Sequence, residues 1–163
     1  MKVCIGVAMA LFFTTFGVKA NDPINGKVIA VIDGNTLEVA AQDQVHKILL
    51  AEIDCPELGQ QYGDAARQLL EKLALQKEVI VNLKGKDRLG NLVGVVMVKG
   101  KKDLRIDLLR EGLAWTTEKN PNAELEVLKH AAKEKSKGLW EQEDPMPPWT
   151  YRRQQTMQQP KSS

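Results

Sequence analysis

The fold is decided by residues 25–57, NGKVIAVIDGNTLEVAAQDQVHKILLAEIDCPE, in which short β-prone runs alternate with turn signals. The first turn signal is Asp33-Gly34-Asn35-Thr36, because Gly and Asn favour tight turns. The pattern predicts three strands in meander order: residues 25–32, 37–40 and 45–53. The third strand leads directly into Ile53-Asp54-Cys55-Pro56-Glu57.

This last segment places two carboxylates, Asp54 and Glu57, three residues apart with Pro56 fixing the turn between them. Such a pair can hold a hard divalent cation and orient a water molecule, which is the minimum equipment for metal-assisted hydrolysis. Alternatively, backbone amides and lysines hold both carboxylates without any metal. The residues alone leave both interpretations open.

The rest of the chain predicts one small barrel with packed helices. With 163 residues, 43% of them hydrophobic, the chain is the size of one globular domain with a core. Apolar spacing predicts a helix over 60–75, strands over 78–83 and 92–98, a short helix that begins at about Ile106 and stops near Gly112, and a lysine-rich helix over 123–137. The resulting fold class is α+β, mainly β, with a five-stranded Greek-key barrel of the OB-fold type and about three helices.

Both ends of the chain differ in composition from this domain. Residues 1–20 combine the cation Lys2, an apolar run and the small-residue ending Val18-Lys19-Ala20, which is typical of a secretory signal peptide. A membrane anchor is the alternative, but the run is shorter than the roughly 20 residues that a span needs. The polar residues from Gln154 to Ser163 predict a disordered tail, so the domain occupies 21–153 and the protein is exported, to the periplasm or outside the cell.

Removal of the signal peptide changes the charge and the cysteine count. Loss of Lys2 and Lys19 lowers Lys+Arg from 23 to 21, equal to the 21 Asp+Glu, so the mature chain is formally neutral. No global electrostatic argument for nucleic-acid binding remains. Cys4 is also lost, which leaves Cys55 unable to form an intramolecular disulfide and leaves open a bond to another chain.

Nucleic-acid binding therefore depends on a local set of basic residues. These are Lys84, Lys86, Arg88, Lys99, Lys101 and Lys102. They are expected to follow a phosphate backbone or, alternatively, to form a solvated rim.

Five short motifs, in order along the chain, resemble the staphylococcal nuclease, or thermonuclease, family. They are Asp33-Gly34-Asn35-Thr36, residues 53–63 with Ala66, Asp87 to Asn91, Glu111-Gly112-Leu113-Ala114 and Gly138-Leu139-Trp140. The resemblance covers essentially the whole mature chain. It implies the barrel fold and descent from a calcium-dependent phosphodiesterase, although a fold alone does not imply function.

The resemblance assigns roles only at positions that match. It implies that Asp54 binds calcium and that Glu57 acts as, or orients, the base for an attacking water. Asn35 stands where the family has an acidic calcium ligand, so calcium binding should weaken. Leu49 and Asn91 stand where the family has its two phosphate-binding arginines.

Nearby cations do not have the placement to replace these arginines. Lys47 lies on the same strand face as Leu49 but about 6–7 Å further along, and Arg88 is three residues early in its loop. Asp33, Asn35 and Asp87 also have a structural interpretation, as turn residues that satisfy local backbone groups.

The sequence therefore predicts two classes of function. The first is an inactive or severely weakened nuclease homologue that binds nucleic acid or a protein partner. The second is a calcium-dependent nuclease with reduced activity. Loss of both arginines favours the first class, because each donor aimed at transition-state charge is typically worth about 2.7–4 kcal/mol.

Overall fold

The computed structural model describes residues 22–158, so the predicted signal peptide lies outside the described residues. The strands are β1 (Ile24–Val31), β2 (Thr36–Ala41), β3 (Gln44–Leu50), β4 (Ile53–Asp54), β5 (Glu78–Lys86), β6 (Leu92–Val98), β7 (Lys102–Asp103) and β8 (Trp115–Thr116). The helices are α1 (Gly63–Ala74), α2 (Leu104–Arg110), α3 (Ala123–Glu134) and α4 (Pro148–Gln158), with a 3₁₀ helix at Gly138–Glu141. Within residues 22–158, no helix is long and apolar enough to span a membrane.

Five strands close into a barrel. Their order is β3-β2-β1-β5-β6, all antiparallel, and β3 then pairs with β6 in parallel to complete the circle. β7 extends the β6 edge, while β4 and β8 form a separate two-stranded ladder. The predicted mainly-β barrel of the OB type is confirmed.

The barrel core follows from alternation along the strands. Val28 lies opposite Val39 and Leu37 lies opposite Ile48, and all four side chains are fully buried. Burial of an aliphatic side chain of this size stabilises the fold by roughly 1.5–3 kcal/mol. Since side chains alternate between faces, Leu49 points away from this core.

Helix α1 packs on the barrel and fixes the first turn. Ala66, Leu70 and Ala74 are buried at intervals of four residues, as an amphipathic helix requires. A Cβ atom on Gly34 would come within 2.5 Å of the Ala66 Cβ and 3.0 Å of the Cys55 Cβ. Only glycine allows the β1–β2 turn to lie this close to α1 and to the segment that follows β4.

The structure differs from the sequence prediction at two places. The third strand ends at Leu50 rather than at Ile53, because the chain turns at Glu52, whose φ of 63° is left-handed. The disordered tail predicted from Gln154 is wrong as far as Gln158, since α4 continues to that residue. Residues 159–163 lie outside the described part of the chain.

Candidate active site

A groove of about 740 Å³ opens beside the end of β3. Its walls come from the β1–β2 turn, the β3–β4 segment, the loop between β5 and β6, and the start of α4. The predicted catalytic, metal and arginine positions all line this groove: Asn35, Leu49, Asp54, Glu57 and Asn91. The structure therefore brings together residues that lie up to 56 positions apart in the sequence.

The two site carboxylates are held by a tight local structure. Asp54 belongs to β4, and the Glu57 backbone N–H donates to the Gln60 Oε1 atom at 3.1 Å. A Cβ atom on Gly63 would lie 2.0 Å from the Glu57 carbonyl oxygen, so the first turn of α1 packs directly against this segment. The Asp54 and Glu57 side chains are 17% and 32% exposed, which leaves both partly desolvated.

Arg152 of α4 binds both carboxylates. Its Nη1 and Nη2 atoms donate to the Asp54 Oδ1 and Oδ2 atoms at 3.1 and 2.7 Å, and Nη1 also donates to the Glu57 Oε1 atom at 2.5 Å. The hydrogen bonds to Asp54 and then to Glu57 raise the pKa of Arg152, despite its partial burial. The pair is thus held by a cation from this chain rather than by the backbone amides and lysines of the alternative interpretation.

The first turn does not complete a calcium site in this arrangement. Asp33 Oδ1 accepts a hydrogen bond from the Asn35 backbone N–H at 2.7 Å, which confirms its structural role in the turn. The Asn35 Oδ1 atom is buried without a hydrogen-bond partner in the described chain, and as an amide oxygen it is a neutral ligand. Within residues 22–158, no three acidic, histidine or cysteine side chains cluster closely enough to hold a metal ion.

Calcium takes six to eight oxygen ligands and its affinity depends on their charge. In this structure both Asp54 oxygens and one Glu57 oxygen already bind Arg152, and the Asn35 oxygen brings no charge. The residues present therefore do not fit a calcium ion.

Known proteins resemble this chain across nearly its whole length. The family model for staphylococcal nuclease homologues matches residues 47–142. The chain belongs to the staphylococcal nuclease family. An Escherichia coli protein named as an uncharacterized endonuclease is 34% identical over 147 residues, covering 90% of this chain and 95% of the relative. A micrococcal nuclease of Shigella flexneri is 34% identical over 139 residues, covering 78% of this chain and 80% of the relative.

Uncharged side chains with different surroundings occupy the two positions at which the resemblance implies arginines. Leu49 lines the groove beside Lys47, as expected for neighbours on one face of β3. Asn91 is bonded within its own loop, where its Nδ2 and backbone N–H groups each donate to Asp87 at 2.8 Å. These bonds, led by the one from the Asn91 side chain, lower the pKa of Asp87 and confirm that Asp87 closes the loop.

The basic residues predicted for nucleic-acid binding do not form one cluster. Lys86 lies opposite Leu92 at one end of β6, whereas Lys102 lies opposite Val98 at the other end. Six residues of strand separate these positions, which is about 20 Å. The exposed Lys84, Lys86 and Arg88 lie near the groove, and Arg88 lines it, whereas Lys101 and Lys102 lie at the far end.

Cys55 lines the groove between Asp54 and Pro56 and is only 2% exposed. Burial, followed by the neighbouring carboxylate Asp54, raises the pKa of the Cys55 thiol well above its ordinary value. A disulfide to another chain therefore requires this segment to open first.

Sequence reasoning missed the groups that come from α2 and α4. Arg105 is 7% exposed and forms ion pairs with Asp103 at 2.7 Å and with Glu52, behind the groove. Trp149 at the start of α4 packs edge-on against Trp115 at 5.7 Å, and Trp115 also contacts Trp140 at 4.6 Å. Trp149, a large apolar residue in a polar tail, was the sequence signal that could have indicated a helix packed on the domain.

Proposed function

We propose that this chain is a catalytically inactive or severely weakened nuclease homologue that acts as a nucleic-acid-binding module. The observation that carries the proposal is the combination of uncharged side chains at Leu49 and Asn91 with the Arg152 contact to Asp54 and Glu57. Metal-assisted hydrolysis at this site would need positively charged groups beside the phosphate and carboxylates free to bind the metal and orient the attacking water. In this chain the positively charged Arg152 binds the two carboxylates instead.

The size of the missing transition-state stabilisation favours an inactive protein over one with a slightly lower rate. Each donor that stabilises transition-state charge is typically worth about 2.7–4 kcal/mol, or roughly 10²–10³ in rate. The effects of groups that act as a unit are not additive, but two missing arginines still predict a loss of several orders of magnitude. Lys47 and Arg88 line the groove. A lysine lacks the planar fork that binds phosphate through two hydrogen bonds, and Arg88 lies three residues before the Asn91 position.

A calcium-dependent nuclease is the alternative, and it is supported by the retained Asp54 and Glu57 and by the names of the relatives. The test is incubation of purified residues 21–163 with single- and double-stranded DNA and RNA, in millimolar CaCl₂ or in EDTA. We expect no degradation. Calcium-dependent cleavage that EDTA stops and that a Glu57→Gln variant lacks would establish the alternative.

Nucleic-acid binding is proposed to use the basic residues at the groove end of the barrel. The exposed Lys84, Lys86 and Arg88 lie on or beside the loop that forms one groove wall, whereas the groove itself carries several carboxylates. Fluorescence anisotropy with a labelled single-stranded oligonucleotide should show binding that falls steeply as salt rises, because phosphate contacts release counterions. Replacement of all three residues by alanine should weaken it at least tenfold.

The control for this measurement removes the same number of charges elsewhere. Lys72, Arg110 and Lys135 are exposed residues of helices and a helix end remote from the groove, and their triple alanine variant should bind as the wild type does. An equal loss in both triple variants would show that only total charge matters. A flat salt response, or no binding at low salt, would point to a protein partner.

Export is proposed from residues 1–20 alone. The mature protein recovered from the producing cells should begin at Asn21, which N-terminal sequencing measures. A mature chain that retains Met1 would refute cleavage.

A further inference from the structure

We infer that Arg152 serves as the built-in cation of the former hydrolytic site, so that α4 and a divalent metal ion exclude each other at Asp54 and Glu57. The inference rests on the proposed function only in treating these two carboxylates as the former hydrolytic pair. It adds a specific role for a residue outside the barrel. It also states what holds the site together when no metal is bound.

The geometry supports a specific site rather than a chance surface contact. The guanidinium binds Asp54 through two parallel hydrogen bonds and reaches Glu57 with a third, which uses three of the four carboxylate oxygens. A planar fork that matches a carboxylate in this way is the strong form of ion pair. Calcium binds carboxylate oxygens at 2.3–2.6 Å and would use the same atoms, so calcium and the guanidinium cannot bind Asp54 together.

Other contacts place Arg152 over the carboxylates. The Pro148 side of α4 is buried, and Trp149 packs against Trp115. Just before the helix, the Met146 carbonyl oxygen accepts a hydrogen bond from the Gln60 Nε2 atom at 2.5 Å, which ties this segment to the loop after Glu57. These contacts hold the first turn of α4 beside the groove.

Two carboxylates this close, and partly desolvated, need a positive partner. Asp54 is 17% exposed and Glu57 is 32% exposed, so water screens their mutual repulsion only in part. Arg152 neutralises them from within the chain. Arg153, the next residue, is exposed and forms no ion pair with any side chain of residues 22–158, which makes it the matched control.

The test measures calcium binding and thermal unfolding, not cleavage. The purified mature chain, Arg152→Ala and Arg153→Ala are titrated with CaCl₂ in a calorimeter, and Tm is recorded in 5 mM CaCl₂ and in EDTA. The wild type and Arg153→Ala should show a smaller calcium-dependent rise in Tm than Arg152→Ala. Arg152→Ala should have a lower Tm in EDTA, should regain about 4 °C in calcium and should bind calcium about fivefold more tightly than the wild type.

Two further variants make the result specific. Asp54→Asn in the Arg152→Ala background should abolish the gained calcium response, because the ion loses its main charged ligand. Arg152→Gln, which keeps a hydrogen-bonding side chain without the charge, should behave as Arg152→Ala does if the charge is what excludes the metal.

Calcium binding by the wild type that equals that of Arg152→Ala would overturn the inference, and so would folded Arg152→Ala and Arg152→Gln proteins without any calcium response. Neither result depends on nuclease activity. Conversely, cleavage of DNA by the wild type would refute the proposed function and leave the comparison of calcium affinities standing.

Discussion

Introduction of arginines at Leu49 and Asn91 tests the proposal that their absence prevents hydrolysis. The variant carries Leu49→Arg, Asn91→Arg and Asn35→Asp, with and without Arg152→Ala. Leu49 is half-buried on a barrel strand and already faces the groove, so an arginine there should reach the phosphate site with little rearrangement. Asn91→Arg is more costly, because it removes the side-chain hydrogen bond to Asp87.

The magnitude follows from these contacts. One correctly placed arginine is worth about 10²–10³ in rate, so the triple variant should exceed the wild type by at least this factor, given that the two arginines act as a unit. Arg152 still competes for Asp54 and Glu57. Its side chain is 48% exposed, so after solvent screening we assign its contact about 1 kcal/mol, and its removal should raise the rate of the triple variant about fivefold.

The assay follows cleavage of a labelled single-stranded oligonucleotide in millimolar CaCl₂, with circular dichroism to show that each variant is folded. Glu57→Gln in the most active variant is the control and should return the rate to background. A folded triple variant that is inert with or without Arg152→Ala would refute the reasoning, because the barrel would then lack more than the named charges. Equal rates with and without Arg152→Ala would show that Arg152 does not block the carboxylates.

Three further predictions concern stability. Arg105→Ala should lower the free energy of unfolding by about 3 kcal/mol in urea titrations, because Asp103 then loses its buried partner; a change below 1 kcal/mol would contradict this. Gly63→Ala should cost roughly 1–3 kcal/mol in the same assay, since the new methyl group meets the Glu57 carbonyl oxygen. Asp87 has a lowered pKa in the folded state, so its contribution to stability is present above about pH 4 and lost as the pH falls through the folded pKa. Asp87→Asn should therefore make the free energy of unfolding less dependent on pH in the acid range. The same pH profile in the variant and the wild type would show that Asp87 makes no such contribution.

Local patterns in the sequence were sufficient to predict the barrel strands and the turns beside the groove. Alternation predicted the barrel strands to within a few residues, because one face of each strand must be buried. Gly34 and Pro56 indicated the tight turns on either side of the site. The family resemblance, and not a local pattern, singled out Leu49 and Asn91, and both positions line the groove.

The contacts made by α4 were not predictable in the same way. Arg152 binds a carboxylate 98 residues away, and its segment is rich in Gln and Arg, a composition typical of disorder. The helix is stabilised by the packing of Trp149 rather than by an amphipathic period. The division of the predicted basic residues into two groups was not predictable for a related reason, since Lys86 and Lys102 are 16 residues apart in sequence but lie at opposite ends of β6.

The contact of Trp115 with Trp140 and Trp149 gives this protein an intrinsic optical signal. These are the three tryptophans of the chain, and the indole rings stand edge-on at 4.6 and 5.7 Å, a separation at which their electronic transitions couple. Because Trp149 is the only one of them carried by α4, part of the near-ultraviolet circular dichroism spectrum reports whether that helix is seated. The position of the helix can therefore be followed in unlabelled protein as fast as a spectrum can be recorded.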